Sequence, residues 1–320
     1  MRRKPDKEGE IISVPPEKEK ISAALILGKF KRAAMDLCIG IGRFFKTIYH
    51  NKKAFVGLII LVVFVFMAAF GKLVFPYDPT PDFESRFSGI SWKHPLGTDN
   101  MGRDVFRMMV DGASSVLGIA LLTGIFTVVI GTVIGLISGL AGGWVDKVLQ
   151  IITNMFLTIP SFPVLLIFGT LFTIDSTLSF AVVLSVFGWG GLSRAVRAQI
   201  ISLKERDYIQ ICKVLNLSGA HITFKELLPN IMSFICINFI MIIRGAITSS
   251  VGIMVLGLAN FDPTNWGAIL MNAMDYGALV VPEARLYLFA PIIFIMLFQL
   301  GAILFSDGLD EAINPRLRKN

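Results

Sequence analysis

Between two long apolar runs the chain reads Lys204-Glu-Arg-Asp-Tyr-Ile-Gln-Ile-Cys-Lys-Val-Leu-Asn-Leu-Ser-Gly-Ala-His-Ile-Thr-Phe-Lys-Glu-Leu-Leu-Pro229. Its first part is compatible with a helix over residues 206–215, with apolar and charged residues on different sides. Asn216-Leu-Ser-Gly219 breaks that helix, because Asn and Gly tolerate the left-handed conformation that a helix end needs. A second helix follows over residues 222–228, and a proline closes the stretch. This pair of helices, which we call the polar loop (residues 198–229), is suited to docking another molecule.

The rest of the chain is strongly apolar. Of its 320 residues, 54% are hydrophobic and 17% charged, and the mean hydropathy is +0.70. This composition excludes an ordinary soluble domain and indicates an integral membrane protein. Six runs are long enough to cross about 30 Å of hydrocarbon as helices, which predicts an all-α fold with six transmembrane helices. They cover residues 54–75, 113–144, 148–173, 178–193, 231–258 and 286–305.

The charges are distributed unevenly between the two sides of these spans. An N-terminal arm (residues 1–53) carries thirteen Lys or Arg. With six spans it shares one side with the polar loop and with the tail (residues 307–320). The opposite side holds a first loop (residues 76–112) that is rich in Asp, Pro and Gly. The positive-inside bias therefore places both termini in the cytoplasm and the protein in the cell (inner or plasma) membrane.

Two further features complete the predicted organisation. Residues 21–50 mix apolar and basic side chains, which indicates an amphipathic elbow helix lying on the lipid surface at the cytoplasmic interface. Residues 113–306 are expected to form the transmembrane core, and its first run, residues 113–144, is rich in glycines that would let helices approach closely.

The polar loop resembles the EAA loop of bacterial ABC-importer permeases. Its length and its Leu228-Pro229 end match that motif. The consensus letters differ, because Gln210-Ile211-Cys212 stands for Glu-Ala-Ala and Asn216 stands for Gly. Any ion pair from this loop must therefore come from other charged residues nearby.

A second segment resembles the same group of proteins. His94-Pro-Leu-Gly-Thr-Asp-Asn-Met-Gly-Arg-Asp104 is similar to the HPLGTDxxGRD signature of C-type permeases in oligopeptide, dipeptide and nickel importers. Phe75-Pro-Tyr-Asp-Pro79, Asn265-Trp-Gly267 and residues 306–318 also fit that family. The resemblance extends from about residue 44 to the end of the chain. The chain is thus identified as a member, with a type I ABC importer permease fold.

The resemblance implies a set of partners. These are a homologous second permease subunit, two cytoplasmic ATPases that bind ATP and Mg, and an extracytoplasmic solute-binding protein. The chain itself would bind no cofactor, metal or nucleic acid and would not be an enzyme. The polar loop would sit in a groove of one ATPase. The residues expected there are Arg206, Asp207, Gln210, Lys213, Asn216, Ser218, Gly219, Leu228 and Pro229.

The fifth span is expected to line the translocation path. Arg244 is costly inside a membrane unless it faces a cavity or a partner. It is consistent with a contact to a polar substrate or to a partner subunit, and equally with a structural ion pair or snorkelling. Thr248, Ser249 and Ser250 follow and would form either a weakly polar path or a close helix contact.

The first loop contains a cluster that could suggest catalysis or a metal site. One His with two Asp at this spacing is a poor metal set, so we expect a braced loop that contributes to docking of the binding protein. Trp266, in the last outer loop, is expected at the membrane interface rather than stacked on a ligand. The cluster consists of His94, Gly97, Thr98, Asp99, Gly102, Arg103 and Asp104.

Two other classes of function are conceivable. An ion-driven secondary transporter would need acidic or His relays in its spans, whereas Arg244 is the ionisable residue deep in a span. A membrane enzyme would need a catalytic constellation, and the sequence has neither such a motif nor a P-loop. Within the importer class the expected substrates are oligopeptides or dipeptides, with oligosaccharides and nickel as alternatives.

Overall fold

The computed structural model describes residues 48–49, 51–172, 174–259 and 262–313. Across these ranges the chain is helical and has no β-strand, apart from an isolated antiparallel bridge between Thr98 and Asp104. The helices in chain order are α1 (Lys52–Val74), α2 (Val105–Ala141), α3 (Gly143–Thr158), α4 (Ser161–Leu171), α5 (Thr177–Lys204), α6 (Asp207–Val214), α7 (Gly219–Val255), α8 (Trp266–Asp275) and α9 (Arg285–Ile313).

Five of these helices, α1, α2, α5, α7 and α9, are long and apolar enough to cross a membrane. The pair α3 and α4 meets at an 80° bend and makes a sixth span if it is counted as one broken helix. The all-α membrane fold expected from the sequence is thus confirmed.

The third span is broken for a local reason. Pro160 lies between the last residue of α3 and the first of α4. It has no amide hydrogen to donate, and its ring clashes with the preceding turn of a helix. Pro163 is tolerated because it lies in the first turn of α4, where an amide would have no helical partner.

Helix α2 begins eight residues before the apolar run that predicted it. The side chain of Asp104 accepts a hydrogen bond from the backbone N–H of Arg107 (2.9 Å) and so caps the helix. The end of the first loop, expected at residue 112, is therefore corrected to residue 104. Polar residues in the first two turns of α2 hid this helix start, since composition alone does not separate a polar turn of helix from a loop.

Helix α7 also differs from the expected boundary. We expected Pro229 to separate the polar loop from the fifth span, but the helix continues through this residue. A π-helical turn over Ile222–Leu227 precedes the proline. The wider turn displaces the carbonyl groups that the proline ring would otherwise meet, so the helix is not interrupted.

Helix α2 lies at the centre of the bundle and packs against α1, α5 and α7. Its contact with α5 is close because Gly131, Gly135 and Gly139 repeat every four residues on one face. A Cβ atom added at Gly135 would lie 2.6 Å from the carbonyl oxygen of Ser193. The glycine-rich run therefore does bring two helix backbones together.

The chain ends are only partly within the described residues. The predicted arm and elbow helix lie outside them except for residues 48–49 and 51–53. The last helix continues to Ile313, so the first seven residues of the expected tail (307–320) extend α9. Residues 314–320 lie outside the description.

Candidate functional site

The polar loop folds as two helical pieces at one end of the bundle. Helix α6 follows α5 after two residues, and Asn216, with φ +57°, turns the chain after it. The hydroxyl of Ser218 then accepts a hydrogen bond from the backbone N–H of His221 (3.2 Å) and caps the start of α7, whose first residue is Gly219. The two-helix prediction agrees with this geometry.

Buried side chains fix the polar loop to the bundle. Ile209 on α6 and Leu227 on α7 are fully buried in one apolar cluster with Ile200. The side chain of Gln210 donates a hydrogen bond to the carbonyl oxygen of Lys204 (2.7 Å), which is left unpaired at the end of α5. These contacts attach α6 to α5 and to the start of α7.

The opposite face of the polar loop is apolar and exposed. Residues three and four apart lie on one side of a helix, and three such apolar residues of α6 are exposed. The sequence pattern places Tyr208, Ile211 and Leu215 on one side, and all three are exposed, whereas Ile209 packs inward. The exposed set, which we call the α6 apolar face, consists of Ile211, Val214, Leu215, Leu217 and Phe224.

Charged side chains surround this face. Arg206, Asp207 and Lys213 are exposed and form no ion pair with any residue that the structure describes. Lys213 makes only a long contact to the side-chain oxygen of Gln210 (3.4 Å). At the far end of the loop Leu228 is half-buried and Pro229 exposed.

Arg244 lies inside α7 and is held by a residue of α9. Its Nε atom donates to Oε1 of Gln299 (2.9 Å), and Nε2 of Gln299 donates back to the Arg244 carbonyl oxygen (3.1 Å). The same Nε2 donates to the hydroxyl of Thr248 (3.0 Å). Among the described residues no carboxylate pairs with Arg244, so an intramolecular ion pair is not its role there.

Of the three hydroxyl residues that follow, one lines a cavity. Ser249 borders a cavity of about 220 Å³ together with Thr123, Thr127 and Ser161. The hydroxyl oxygens of Thr123 and Thr127 are buried and have no hydrogen-bond partner within the described part of the chain. Buried polar groups normally have a partner, so these two hydroxyls are exceptions to that rule within the described residues.

Ser250 does not belong to this cavity. It is buried in the core, and its hydroxyl donates to the carbonyl oxygen of Ile247 in its own helix (3.0 Å). Of the two alternatives that the sequence left open for Ser250, its burial fits the close helix contact and contradicts the weakly polar path. It lies one position beyond Ser249, and a step of one residue turns the side chain to the packed side of the helix.

The first loop is braced by a buried carboxylate. Asp99 is fully buried and accepts hydrogen bonds from the backbone N–H groups of Met101 (2.9 Å) and Arg103 (2.8 Å). The guanidinium of Arg103 donates twice to its other oxygen (2.8 and 2.6 Å). Gly102, with φ +78°, lies against Asp82, and an added Cβ would meet the Asp82 carbonyl oxygen at 1.7 Å.

The remaining residues of this cluster extend the same brace. Nδ1 of His94 lies 2.9 Å from Oδ2 of Asp104, the residue that caps α2. Thr98 accepts from the backbone N–H of Ser88 (2.8 Å), and Gly97 turns with φ +74°. The structure thus brings the cluster together as a network of loop contacts, in the arrangement we expected of a braced loop.

Trp266 lies elsewhere than expected. It is fully buried, its Nε1 donates to the Met109 carbonyl oxygen (2.9 Å), and its ring packs edge-on against Phe64 and Phe294. The prediction of an interfacial side chain is wrong. Trp266 begins α8, which packs between α2, α7 and α9, so its first side chain enters the core.

Sequence reasoning missed a polar bracket beside the polar loop. The guanidinium of Arg197 on α5 donates two hydrogen bonds of 2.6 Å to the carboxylate of Asp146 on α3. Ser138 on α2 donates to the same carboxylate (2.5 Å), and Lys204 donates to two carbonyl groups at the end of α2. The bracket ties three helix ends together. Its signal in the sequence was Asp146, an acidic residue between the second and third apolar runs.

Comparisons with known proteins cover nearly the whole chain. Residues 131–319 match the family described as binding-protein-dependent transport system inner membrane component, and residues 41–91 match the N-terminal TM domain of oligopeptide transport permease C. The chain is 30% identical over 271 residues to the oligopeptide transport system permease protein OppC of Bacillus subtilis, which covers 84% of this chain and 87% of that protein.

Two other relatives give similar figures. The dipeptide transport system permease protein DppC of Alkalihalophilus pseudofirmus is 30% identical over 278 residues, or 86% of this chain and 89% of that protein. The glutathione transport system permease protein GsiD of Escherichia coli O6:K15:H31 is 29% identical over 283 residues, or 86% of this chain and 90% of that protein.

Proposed function

We propose that this chain imports peptides, since it belongs to the family of binding-protein-dependent transport system inner membrane components. It is a permease subunit of an ABC importer. It is a transporter subunit in the inner membrane and not an enzyme. The names of its relatives support peptides as the substrate, since they include an oligopeptide, a dipeptide and a glutathione permease.

The proposed complex contains a second, homologous permease subunit, two cytoplasmic ATPases that bind ATP and Mg, and an extracytoplasmic solute-binding protein. Both termini and the polar loop lie on the cytoplasmic side, and the first loop faces the binding protein. The positive charge on the side of the polar loop supports this orientation. Each permease subunit supplies half of the path.

The α6 apolar face carries the proposal that the polar loop docks an ATPase. A cluster of exposed apolar side chains on an element that is attached to the bundle by buried residues favours a protein contact. The exposed charges of Arg206, Asp207 and Lys213 form a polar rim around it, as interfaces of this kind have. Since Ile209 and Leu227 anchor the loop to α5 and α7, movement of the ATPase is transmitted to two spans.

Removing the apolar character of this face tests the coupling proposal. In Val214→Asp we expect the amount of ATPase that copurifies with the permease to fall about tenfold, because a carboxylate is then desolvated at the contact; tenfold corresponds to about 1.4 kcal/mol. Val280→Asp is the matched control. Val280 is equally exposed, at 83% against 85% for Val214, but lies in the loop after α8 at the other end of the bundle.

Comparison of the two variants shows whether ATPase recovery depends on the α6 apolar face. Unchanged ATPase recovery and unchanged stimulation of ATP hydrolysis in Val214→Asp would contradict docking at the polar loop. Equal losses of ATPase in both variants would also contradict docking at the polar loop, because the loss would then not depend on which end of the bundle carries the new carboxylate.

The substrate proposal is tested on the cognate solute-binding protein. Calorimetric titration with dipeptides, oligopeptides, oligosaccharides and Ni²⁺ is expected to give saturable binding with a peptide. Binding of an oligosaccharide or of Ni²⁺ without any peptide binding would replace peptides by that substrate class, within the same importer.

A further inference from the structure

Arg244 lies deep in the membrane, away from both headgroup layers. It is eleven residues from Val255, the end of α7, and its partner Gln299 is fourteen residues from either end of α9. At about 1.5 Å per residue these separations are roughly 16 Å and 21 Å. The hydrocarbon layer is about 30 Å thick, so a lipid phosphate at the interface does not reach this depth.

Gln299 orients Arg244 without neutralising it. The amide of Gln299 bridges the Nε atom of Arg244, the Arg244 carbonyl oxygen and the Thr248 hydroxyl. One terminal nitrogen of the guanidinium has only the sulfur atom of Met241 as an acceptor (3.2 Å). No acidic residue in the described ranges pairs with the guanidinium. A fixed cation in hydrocarbon without a counter-ion favours an anionic ligand.

The planar guanidinium selects the kind of anion. Arginine binds carboxylates through two parallel N–H···O hydrogen bonds, a geometry that a single point charge does not provide. Because Gln299 fixes the side chain through Nε, the guanidinium is oriented before a ligand arrives, which reduces the entropy lost on binding.

A polar cavity lies next to the same turn of α7. Gly245, which follows Arg244, lines the cavity of about 220 Å³ together with Thr123, Thr127 and Ser249, whereas Arg244 itself does not line it. The buried Thr123 and Thr127 hydroxyls have no partner within the described part of the chain. The cavity lies on another side of α7 from the Arg244 side chain, which contacts Gln299 of α9, so the guanidinium and not this cavity selects the ligand at Arg244.

We propose that Arg244, held in place by Gln299, binds the C-terminal carboxylate of a peptide as the peptide crosses the membrane. This inference rests on the proposed function of peptide import. It makes Arg244 a specificity-determining residue and Gln299 a positioning residue. The bound state is transient, because the carboxylate gives up its hydrogen bonds to Arg244 and forms hydrogen bonds to water on the cytoplasmic side.

The test compares one peptide in two forms, with a free and with an amidated C-terminus. The complete importer is reconstituted in proteoliposomes with its binding protein, and each peptide is supplied at a concentration that saturates that protein. The measured quantity is the ratio of the two uptake rates. Dividing the ratio of a variant by that of the wild type cancels any preference of the binding protein.

In Arg244→Gln we expect this ratio to fall about tenfold, through slower uptake of the free acid. Tenfold corresponds to about 1.4 kcal/mol, near the lower end of what a hydrogen bond to a charged group contributes. Arg244→Lys keeps the charge and is expected to retain part of the preference. Gln299→Leu removes the orienting amide and is expected to lower the ratio less than Arg244→Gln does.

Arg107→Gln is the matched control. Arg107 is an exposed arginine at the far end of α2 that donates to the Pro76 carbonyl oxygen, and its loss should leave the ratio unchanged. An unchanged ratio in an assembled Arg244→Gln importer overturns the inference. Loss of the second permease subunit from Arg244→Gln also overturns it, because the guanidinium would then pair with that subunit.

Failure of the proposed function gives a different result. If the wild-type importer takes up neither form, peptide import itself is contradicted, and the carboxylate site with it. If it takes up both forms and the ratio does not respond to Arg244→Gln, only the carboxylate site is contradicted.

Discussion

Asp99 shows how single residues hold the first loop in shape. Its carboxylate is fully buried and accepts four hydrogen bonds, two from backbone N–H groups and two from the guanidinium of Arg103. Beside it, burial raises the pKa of the Tyr77 phenol above its usual value. A buried charge is tolerated only where such partners compensate for the lost water.

We predict that Asp99→Asn destabilises the protein strongly. It leaves the Arg103 guanidinium buried without its counter-ion, and breaking a buried pair in this way costs about 3–5 kcal/mol. The measurement is the thermal unfolding midpoint of the detergent-purified protein.

Asp78→Asn is the control for this change. Asp78 is exposed in the same loop, and hydrogen bonds from Thr80 hold the pKa of its carboxyl below the usual value. Its replacement should shift the midpoint far less. Equal midpoints for the two variants would show that the Asp99 pair does not hold the loop.

At the scale of elements, the close contact between α2 and α5 determines how the bundle packs. Gly131, Gly135 and Gly139 face α5, and Cβ atoms there would lie 2.6–3.0 Å from the nearest atoms of that helix. The polar bracket around Asp146 then joins the ends of α2, α3 and α5. Small residues and polar contacts thus supply the attraction that the hydrophobic effect cannot supply within lipid.

We predict that Gly135→Ala weakens this contact. The new methyl group would lie 2.6 Å from the carbonyl oxygen of Ser193, and overpacking of this kind costs about 1–3 kcal/mol. The expected result is a lower yield of folded protein and a lower unfolding midpoint.

Gly191→Ala on α5 provides the comparison. No atom lies within 4 Å of its added Cβ. Since alanine favours helices over glycine by about 1 kcal/mol, this variant should be unchanged or more stable. A Gly135→Ala protein as stable as Gly191→Ala would mean that α2 and α5 can separate without cost.

For the whole molecule, the two ends of the bundle differ in what they present to water. One end holds the braced first loop, from which Trp92 projects fully exposed. The other end holds the polar loop with its α6 apolar face and free charges. Two chemically different ends are consistent with the proposed complex, in which the ATPase and the binding protein lie on opposite sides of the membrane.

We predict that the end with the first loop is extracellular or periplasmic. In a variant without native cysteines, Trp92→Cys should react with a membrane-impermeant maleimide in intact spheroplasts. Val214→Cys should react only after permeabilisation, because the positive-inside bias places the polar loop in the cytoplasm.

Both side chains are exposed, so accessibility within the folded chain does not distinguish them. The reverse labelling pattern would invert the topology. Labelling of both positions in intact spheroplasts would contradict the odd number of spans between them, namely α2, the pair α3 and α4, and α5.

Much of the architecture was predictable from sequence alone. The order of the spans follows from apolar length, because only a run of about twenty residues crosses the hydrocarbon as a helix. The break after α6 follows from Asn216, which adopts the left-handed conformation at a helix end. The signature around His94 and Asp104 indicated the family. These are local features, and neighbouring residues in the chain are sufficient to specify them.

Tertiary structure alone decided which residues meet. Gln299 and Arg244 are 55 positions apart, and neither apolar length nor charge pattern links them. Trp266 is of a residue type that is typical of membrane interfaces, but it is buried. Ser250 follows Thr248 and Ser249, which were also candidates for the translocation path, but it faces the core. The physical reason is that contacts between spans depend on helix rotation and depth. Packing of small residues and of paired polar groups from distant helices sets both.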